Sequence, residues 1–206
     1  MKRKISYNNS VEAIYIFSDI RDFSIEIKKS SDEMKKFLEV YYELAIKIFG
    51  KIGSNPRNDK TYKKISKFLG DGFFSVNEYI DLADFKFKLL ESLNDIDKFI
   101  NKIKEEKKNI VASEISPQFK LGFGMTYGSS VKIIVDKYHT EYIGNIINIS
   151  SRLCEKAKPS GIIIRKTDEI FDIIQGSVFK DTYICDKCSI KNEGNVDILK
   201  TRDVKV

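Results

Sequence analysis

Histidine occurs once in the 206 residues, at His139, and cysteine three times, at Cys154, Cys185 and Cys188. A zinc site asks for four nitrogen or sulfur ligands. The lone C-x-x-C of Cys185 and Cys188 has neither Cys154 nor His139 near it in sequence, so zinc is not expected. Three thiols without a secretory leader fit a reducing compartment. No apolar run approaches the roughly eighteen residues of a membrane span, and Met1-Lys2-Arg3-Lys4 is not followed by a long apolar stretch. A cytoplasmic protein without a membrane partner is expected. Internal repeats are missing too.

What is present is an ordinary globular composition, 42% hydrophobic and 32% charged. The length suits one domain with a proper core, expected over residues 11–206 behind a frayed polar stretch at 1–10. The formal charge of +6 favours polyanionic ligands, from nucleotides to nucleic acid, without choosing among them.

Along the chain, Val11–Phe17 reads as a buried strand. Ser30 with Glu33 makes a capping box, and Met34, Phe37, Leu38, Tyr41, Leu44, Ala45 and Ile48 follow at helical spacing up to Gly50. Gly53–Lys64 is polar and basic, a loop or hairpin. Leu82 to Ile103 repeats the helical pattern within 79–108, and a loop runs to Pro117. Phe119, Leu121, Phe123 and Met125 alternate as in a strand, which Gly128-Ser129-Ser130 is expected to turn into a hairpin partner, Val131–Val135. Gly144–Lys158 reads as a helix stopped by Pro159-Ser160-Gly161. A strand at Gly161–Ile164, a helix capped by Thr167, and strands near Phe179–Cys185 and Val196–Leu199 close the chain. Helices alternating with strands that are partly joined as hairpins argue for α+β, a mixed or antiparallel sheet with helices packed over it.

Two stretches echo each other. Ile14–Phe17 leads to Asp19, and Ile65–Leu69 leads to Asp71, flanked by Gly70 and Gly72 as in a tight hairpin tip. If their strands lie side by side, two carboxylates meet at one end of a sheet, where a divalent cation would relieve their repulsion. The plainer alternative is two buried strands that end in turn aspartates. Asn148 and Arg152 are four residues apart in the helix that starts at Gly144, so they project from one face. An amide and a guanidinium there suit a ribose oxygen and a phosphate oxygen, or else an unremarkable solvated face.

These motifs resemble those of the class III nucleotidyl cyclases, the catalytic domains of adenylate and guanylate cyclases. The resemblance runs from Val11 to the end and rests on four motifs in order: Phe17-Ser18-Asp19-Ile20-Arg21-Asp22-Phe23, Lys67-Phe68-Leu69-Gly70-Asp71, Gly144-Asn145-Ile146-Ile147-Asn148-Ile149-Ser150-Ser151-Arg152 and, more weakly, Ile190-Lys191-Asn192-Glu193-Gly194. It implies a ferredoxin-like βαββαβ core used as a head-to-tail homodimer, with active sites at the interface and inactive monomers. It implies that Asp19, Asp71 and the Ile20 carbonyl hold two Mg2+ or Mn2+ ions. Arg152 would steady the α-phosphate, Asn148 orient the ribose, Lys191 grip the triphosphate, and Lys67 with Glu141 read the base.

The base-reading pair departs from the family's usual combinations, lysine with aspartate or threonine for adenine and glutamate with cysteine for guanine. A donor facing an acceptor satisfies adenine, cytosine, uracil or guanine, so the hydrogen-bond inventory leaves the base open. Three features tilt the expectation: a bare catalytic domain without a sensor, a long segment at Lys51–Lys64, and the unusual pair itself. Together they are most similar to the standalone bacterial pyrimidine cyclases of Pycsar antiphage systems, which make cyclic UMP or cyclic CMP for an effector protein. An adenylate cyclase is the alternative. Tyr41, Tyr42 or Tyr62 would be candidates for an aromatic wall favouring a small base, against a bland role in core or surface. Rival classes are a polymerase-like nucleotidyl transferase, which leaves Asn148 and Arg152 without a purpose, and a basic RNA-binding module, which leaves both aspartates unexplained. A cyclase itself is expected to have no nucleic-acid partner.

Overall fold

The computed structural model describes residues 6–29, 31–50, 64–110, 120–135 and 140–204. In chain order these form β1 (Ser6–Ile20), α1 (Phe23–Lys29), α2 (Ser31–Phe49), β2 (Lys64–Phe68), β3 (Gly72–Glu78), α3 (Leu82–Ile110), β4 (Leu121–Ile134), β5 (Thr140–Ile143), α4 (Asn145–Lys156), β6 (Gly161–Arg165), α5 (Asp168–Gln175), β7 (Tyr183–Ile190) and β8 (Gly194–Thr201). The strands make one sheet in the order β2-β3-β1-β4-β6-β8-β7, with β5 paired to β4. The first four strands of that order, with α2 and α3, are the expected βαββαβ core: β3 and β4 both run antiparallel to β1, and β2 runs antiparallel to β3. Among the described strands only β4 and β6 pair in parallel, which makes the sheet mixed.

Period-two alternation sorts β1 between two layers. Ile14, Ile16 and Ile20 face α2 and α3, where Phe37, Tyr41, Phe49, Phe73 and Phe99 are wholly or nearly buried. Their rings meet at tilted or edge angles, such as Tyr41 to Phe99 at 5.3 Å between centroids and Phe49 to Phe73 at 4.9 Å. Ala13 and Tyr15 face the other way and pack with Phe74, Val76, Tyr142 and Ile147, so that α4 closes this second layer.

The structure corrects three expectations. β1 begins at Ser6 rather than Val11, because β4 continues far enough to pair Ser6 with Ile134. β4 does not turn at Gly128-Ser129-Ser130; it runs on to Ile134, with Ala13, Glu12 and Val11 of β1 paired to those three residues. The long β1 edge supplies partners that outweigh the local turn preference, and Gly128, at φ +141, lets the strand bend without leaving the ladder. The hairpin partner of β4 is instead β5, which pairs with Val131–Ile134. Short helix α1, between Asp22 and α2, has no counterpart in the sequence reading. The Thr167 cap is as expected, its side chain accepting from the Ile170 amide. Ser30 of the proposed capping box and most of the 53–64 segment lie outside the described residues.

Candidate active site

Asp19 lies one residue from the end of β1. Its register neighbours are Gly72 on β3 and Gly122 on β4, and Gly122 is itself paired with Gly161 on β6. Paired residues point to the same face, so no side chain of a paired residue flanks the carboxylate, and the space over Gly122 is taken by the Arg21 guanidinium. Larger residues do not fit there: a methyl at Gly72 would overlap the Ser18 carbonyl, and one at Gly122 would overlap the Arg21 guanidinium.

Asp71 sits in the tight turn between β2 and β3. Gly70 takes φ +88, which permits the reversal, and the Leu69 amide donates to the Gly72 carbonyl at 2.9 Å. The two aspartates are then tied through the backbone, because the Ile20 amide donates to the Asp71 carbonyl at 2.8 Å. Helix α2 braces both strand ends. The Tyr41 hydroxyl donates to Ser18 Oγ at 2.8 Å, and the Tyr42 hydroxyl donates to the Gly70 carbonyl. Tyr41 is therefore core and Tyr42 a brace for the turn, not walls of a base pocket; Tyr62 lies outside the described residues.

Asp19, Ile20 and Asp71 open into a cleft of about 720 Å³ that Glu155, in the last turn of α4, and Lys158, just beyond it, also line. Burial pushes the Asp19 carboxyl above the usual carboxylate range; Arg21 pulls it down, while Asp71 and Glu155 push it further up. Arg21 Nη2 stands 3.1 Å from Asp19 Oδ2, and the Arg21 side chain is only 5% exposed. An arginine between two aspartates reads in sequence as a solvated turn residue, and the sequence reading gave it no role. The one available signal was Gly122 opposite Asp19, which makes space for the guanidinium.

The donor set fits the divalent ions that the sequence resemblance implies. Carboxylates and backbone carbonyls are hard oxygen donors suited to Mg2+ or Mn2+. The described residues hold no cluster of three or more His, Cys, Asp or Glu able to hold an ion unaided. Two carboxylates leave coordination positions for phosphate oxygens, the way Mg2+ is commonly held beside nucleotides.

The other expected site residues form two groups elsewhere on the chain. Lys67 on β2 and Glu141 on β5 approach to 3.6 Å, both well exposed. β5 is anchored by Tyr142, which donates to Glu78 at 2.6 Å, and Glu78 also pairs with Lys132 at 2.7 Å. On α4, Ile149, Ser150, Leu153 and Cys154 are buried while Asn148 is exposed and Arg152 half-exposed, one turn apart. Arg152 Nη1 donates to the Lys191 carbonyl in the β7–β8 turn, so the fourth motif meets the third. None of Lys67, Glu141, Asn148, Arg152 and Lys191 lines the cleft of Asp19 and Asp71. Cys185 is exposed and Cys188 buried, three apart on β7 and so on opposite faces.

In sequence, no family model and no curated protein matches the chain. In structure, it is similar to a bacterial light-regulated adenylyl cyclase at a TM-score of 0.68 and 17% identity, with 98% of this chain covered. The chain spans about half the length of that protein, 54%. It is similar to the guanylyl cyclase Cya2 at a TM-score of 0.68 and 15% identity, over 97% of this chain and 96% of that one. The adenylyl cyclase CyaB from P. aeruginosa matches at a TM-score of 0.61 and 18% identity, over 98% and 97% respectively. No described helix is long and apolar enough to cross a membrane. A βαββαβ core extended by the β6-β8-β7 edge, with α4 across its open layer, is the fold of the adenylyl and guanylyl cyclase catalytic domains.

Proposed function

We propose that the chain is a nucleotidyl cyclase, converting a nucleoside triphosphate to a 3′,5′-cyclic nucleotide and pyrophosphate in a head-to-tail homodimer. The observation that carries this reading is the division of the candidate residues. One chain, in a fold shared with cyclases, gathers two carboxylates into a cleft and holds its phosphate- and base-facing groups away from it. A second copy would bring the missing half to each cleft.

In this reading Asp19, Asp71 and the Ile20 carbonyl hold two Mg2+ or Mn2+ ions. When bound, such ions lower the pKa of the ribose 3′-hydroxyl and neutralise the triphosphate. Asn148 of the other chain fixes the ribose so that its 3′-oxygen lies in line with the α-phosphorus. Arg152 donates to the α-phosphate oxygens as charge builds on them, and Lys191 holds the outer phosphates. The 3′-hydroxyl gives its proton to water, the new bond joins the 3′-oxygen to the α-phosphorus while the bond to pyrophosphate breaks, and pyrophosphate carries the displaced charge away.

Lys67 and Glu141 present a donor beside an acceptor at 3.6 Å, spacing that a base edge with the complementary pair would bridge. We assign the substrate as UTP or CTP and the product as cyclic UMP or cyclic CMP, a second messenger for an effector protein in antiphage defence. Support comes from the lysine–glutamate combination, which matches neither purine pattern. ATP is the second reading, because Lys67 can donate to a ring nitrogen of adenine and Glu141 can accept from its amine. An RNA-binding role draws little support, since Phe74, stacked 4.5 Å from Phe17 on the open layer, is 3% exposed and offers no platform.

The test incubates the purified chain with each of the four nucleotides and Mn2+ and resolves the products. One cyclic mononucleotide with pyrophosphate is expected. Linear or dinucleotide products would assign a polymerase-like transferase instead, and no turnover of any nucleotide would remove the reading.

A further inference from the structure

Arg21 has more partners than an ion pair needs. Besides Asp19, its Nη2 donates to the Cys154 carbonyl at 2.8 Å and lies 3.3 Å from Cys154 Sγ, and its Nη1 donates to the Glu155 carbonyl at 3.4 Å. Its Nε is buried with no partner, so the side chain is held through its outer nitrogens alone, toward Asp19 and α4. The two carbonyls belong to the last turn of α4, where the helix dipole is negative; the Cys154 carbonyl also accepts from the Ala157 amide at 3.0 Å, so Arg21 takes its second lone pair.

Helix α4 is seated there without slack. A methyl at Gly124 would overlap the Ser150 carbonyl and the Cys154 amide nitrogen, so the helix backbone rests directly on β4. Ser150 Oγ lies 2.9 Å from both the Tyr15 and Gly124 carbonyls. Arg152 stands between these two buried anchors and points outward, so a shift of the last turn moves its guanidinium.

We propose that Arg21 is a positioning residue that links two active sites: through Asp19 it sets the metal side of one, and through α4 it sets the Arg152 of the other. The inference rests on the shared-site homodimer proposed above. The planar fork of arginine serves acceptors on both sides at once, which the single ammonium of lysine does not.

Mixed dimers separate the two arms. A chain carrying Asp71→Ala still lends Arg152, and a chain carrying Arg152→Ala still lends Asp19 and Asp71, so their mixture contains one intact site. Arg21→Lys is then added to one chain or the other, with Arg21→Gln as a parallel variant. In the Arg152-lending chain it is expected to lower kcat about tenfold through misplacement, with the Mn2+ concentration for half activity unchanged. In the aspartate-lending chain it is expected to raise that Mn2+ concentration by about tenfold, the low end for weakening the partner behind a metal ligand. Two readouts are independent of activity. In the singly substituted protein without nucleotide, amide exchange at residues 153–156 should accelerate, and Mn2+ binding, followed by the resonance of free ion, should weaken.

The proposal is overturned if Arg21→Lys changes nothing, or changes Mn2+ binding while α4 exchange stays at the wild-type rate. It is equally overturned if both placements lose activity alike with exchange raised throughout the protein. Inactivity of the parent mixture, under proven subunit exchange, is a separate result that removes the shared-site reading and this inference with it.

Discussion

The carboxylate cleft and the surface proposed to face the nucleotide are built in opposite ways. Asp19 and Asp71 are fixed by backbone hydrogen bonds, a glycine lane, a buried guanidinium and two tyrosines of α2. Lys67, Glu141, Asn148 and Lys191 stand on open surface, with one 3.6 Å ion pair between the first two. Ion binding demands placement to a few tenths of an ångström. A surface that becomes a site on meeting a second chain acquires its rigidity from that contact. The difference teaches where substitutions should act through folding and where through chemistry alone.

The largest effect is expected at the cleft: Asp71→Ala should leave no measurable cyclase activity with Mn2+, checked by product chromatography, while the fold persists by circular dichroism. Next comes the surface. Arg152→Ala should lower kcat by about 10²–10³, the scale of losing one preorganised donor to a transition-state oxyanion, with the melting temperature nearly unchanged. Mixing it with an inactive Asp19→Ala chain should recover part of the activity, and no recovery after proven subunit exchange would break the comparison by placing both halves within one chain.

A stability contrast follows. Gly122→Ala forces a methyl against Arg21 and should cost about 2 kcal/mol from overpacking, or roughly 4–8 °C in melting temperature for a chain of this size. Substitutions at Lys67 or Glu141 should not move the melting temperature. Lys67→Ala and Glu141→Gln should instead change kcat/KM by about tenfold between the preferred nucleotide and its competitors, the worth of one recognition contact.

The smallest effect is on pH. Asp19 carries a folded-state pKa above its unfolded value, chiefly through burial. The folded chain then binds more protons across that interval, so this group's contribution to stability is present at low pH and lost as pH rises through the raised pKa. In chelator-treated buffer, Asp19→Asn should gain on the wild type in urea midpoint as pH rises above the ordinary aspartate value of about 3.9.

Much of this was legible in the sequence because it rests on local signals. The Gly70-Asp71-Gly72 tip, the spacing of α2 and α3, the Thr167 cap and the shared face of Asn148 and Arg152 are each contained in a few neighbouring residues. What escaped depends on residues far apart in the chain. Gly128-Ser129-Ser130 has turn chemistry, and only the β1 edge, over a hundred residues away, holds it extended. Arg21 has the look of a solvated cation, and only the end of α4 and the absence of a side chain at Gly122 make a buried place for it. That Lys67, Glu141, Asn148, Arg152 and Lys191 stand apart from the cleft of Asp19 and Asp71 is in keeping with the interface sites that the family resemblance implies, whereas periodicity, which reports on one chain's core, is silent on it.

The row Gly72–Asp19–Gly122–Gly161 crosses four adjacent strands at a single level of the sheet. The side chains missing from it leave room for the Asp19 carboxylate and, over Gly122, for the Arg21 guanidinium. Evolution or an engineer could rewrite most of the surrounding vocabulary, but at positions 72 and 122 even an alanine displaces atoms of the backbone or of the guanidinium. The geometry around that acid is therefore spelled by what its neighbours leave out.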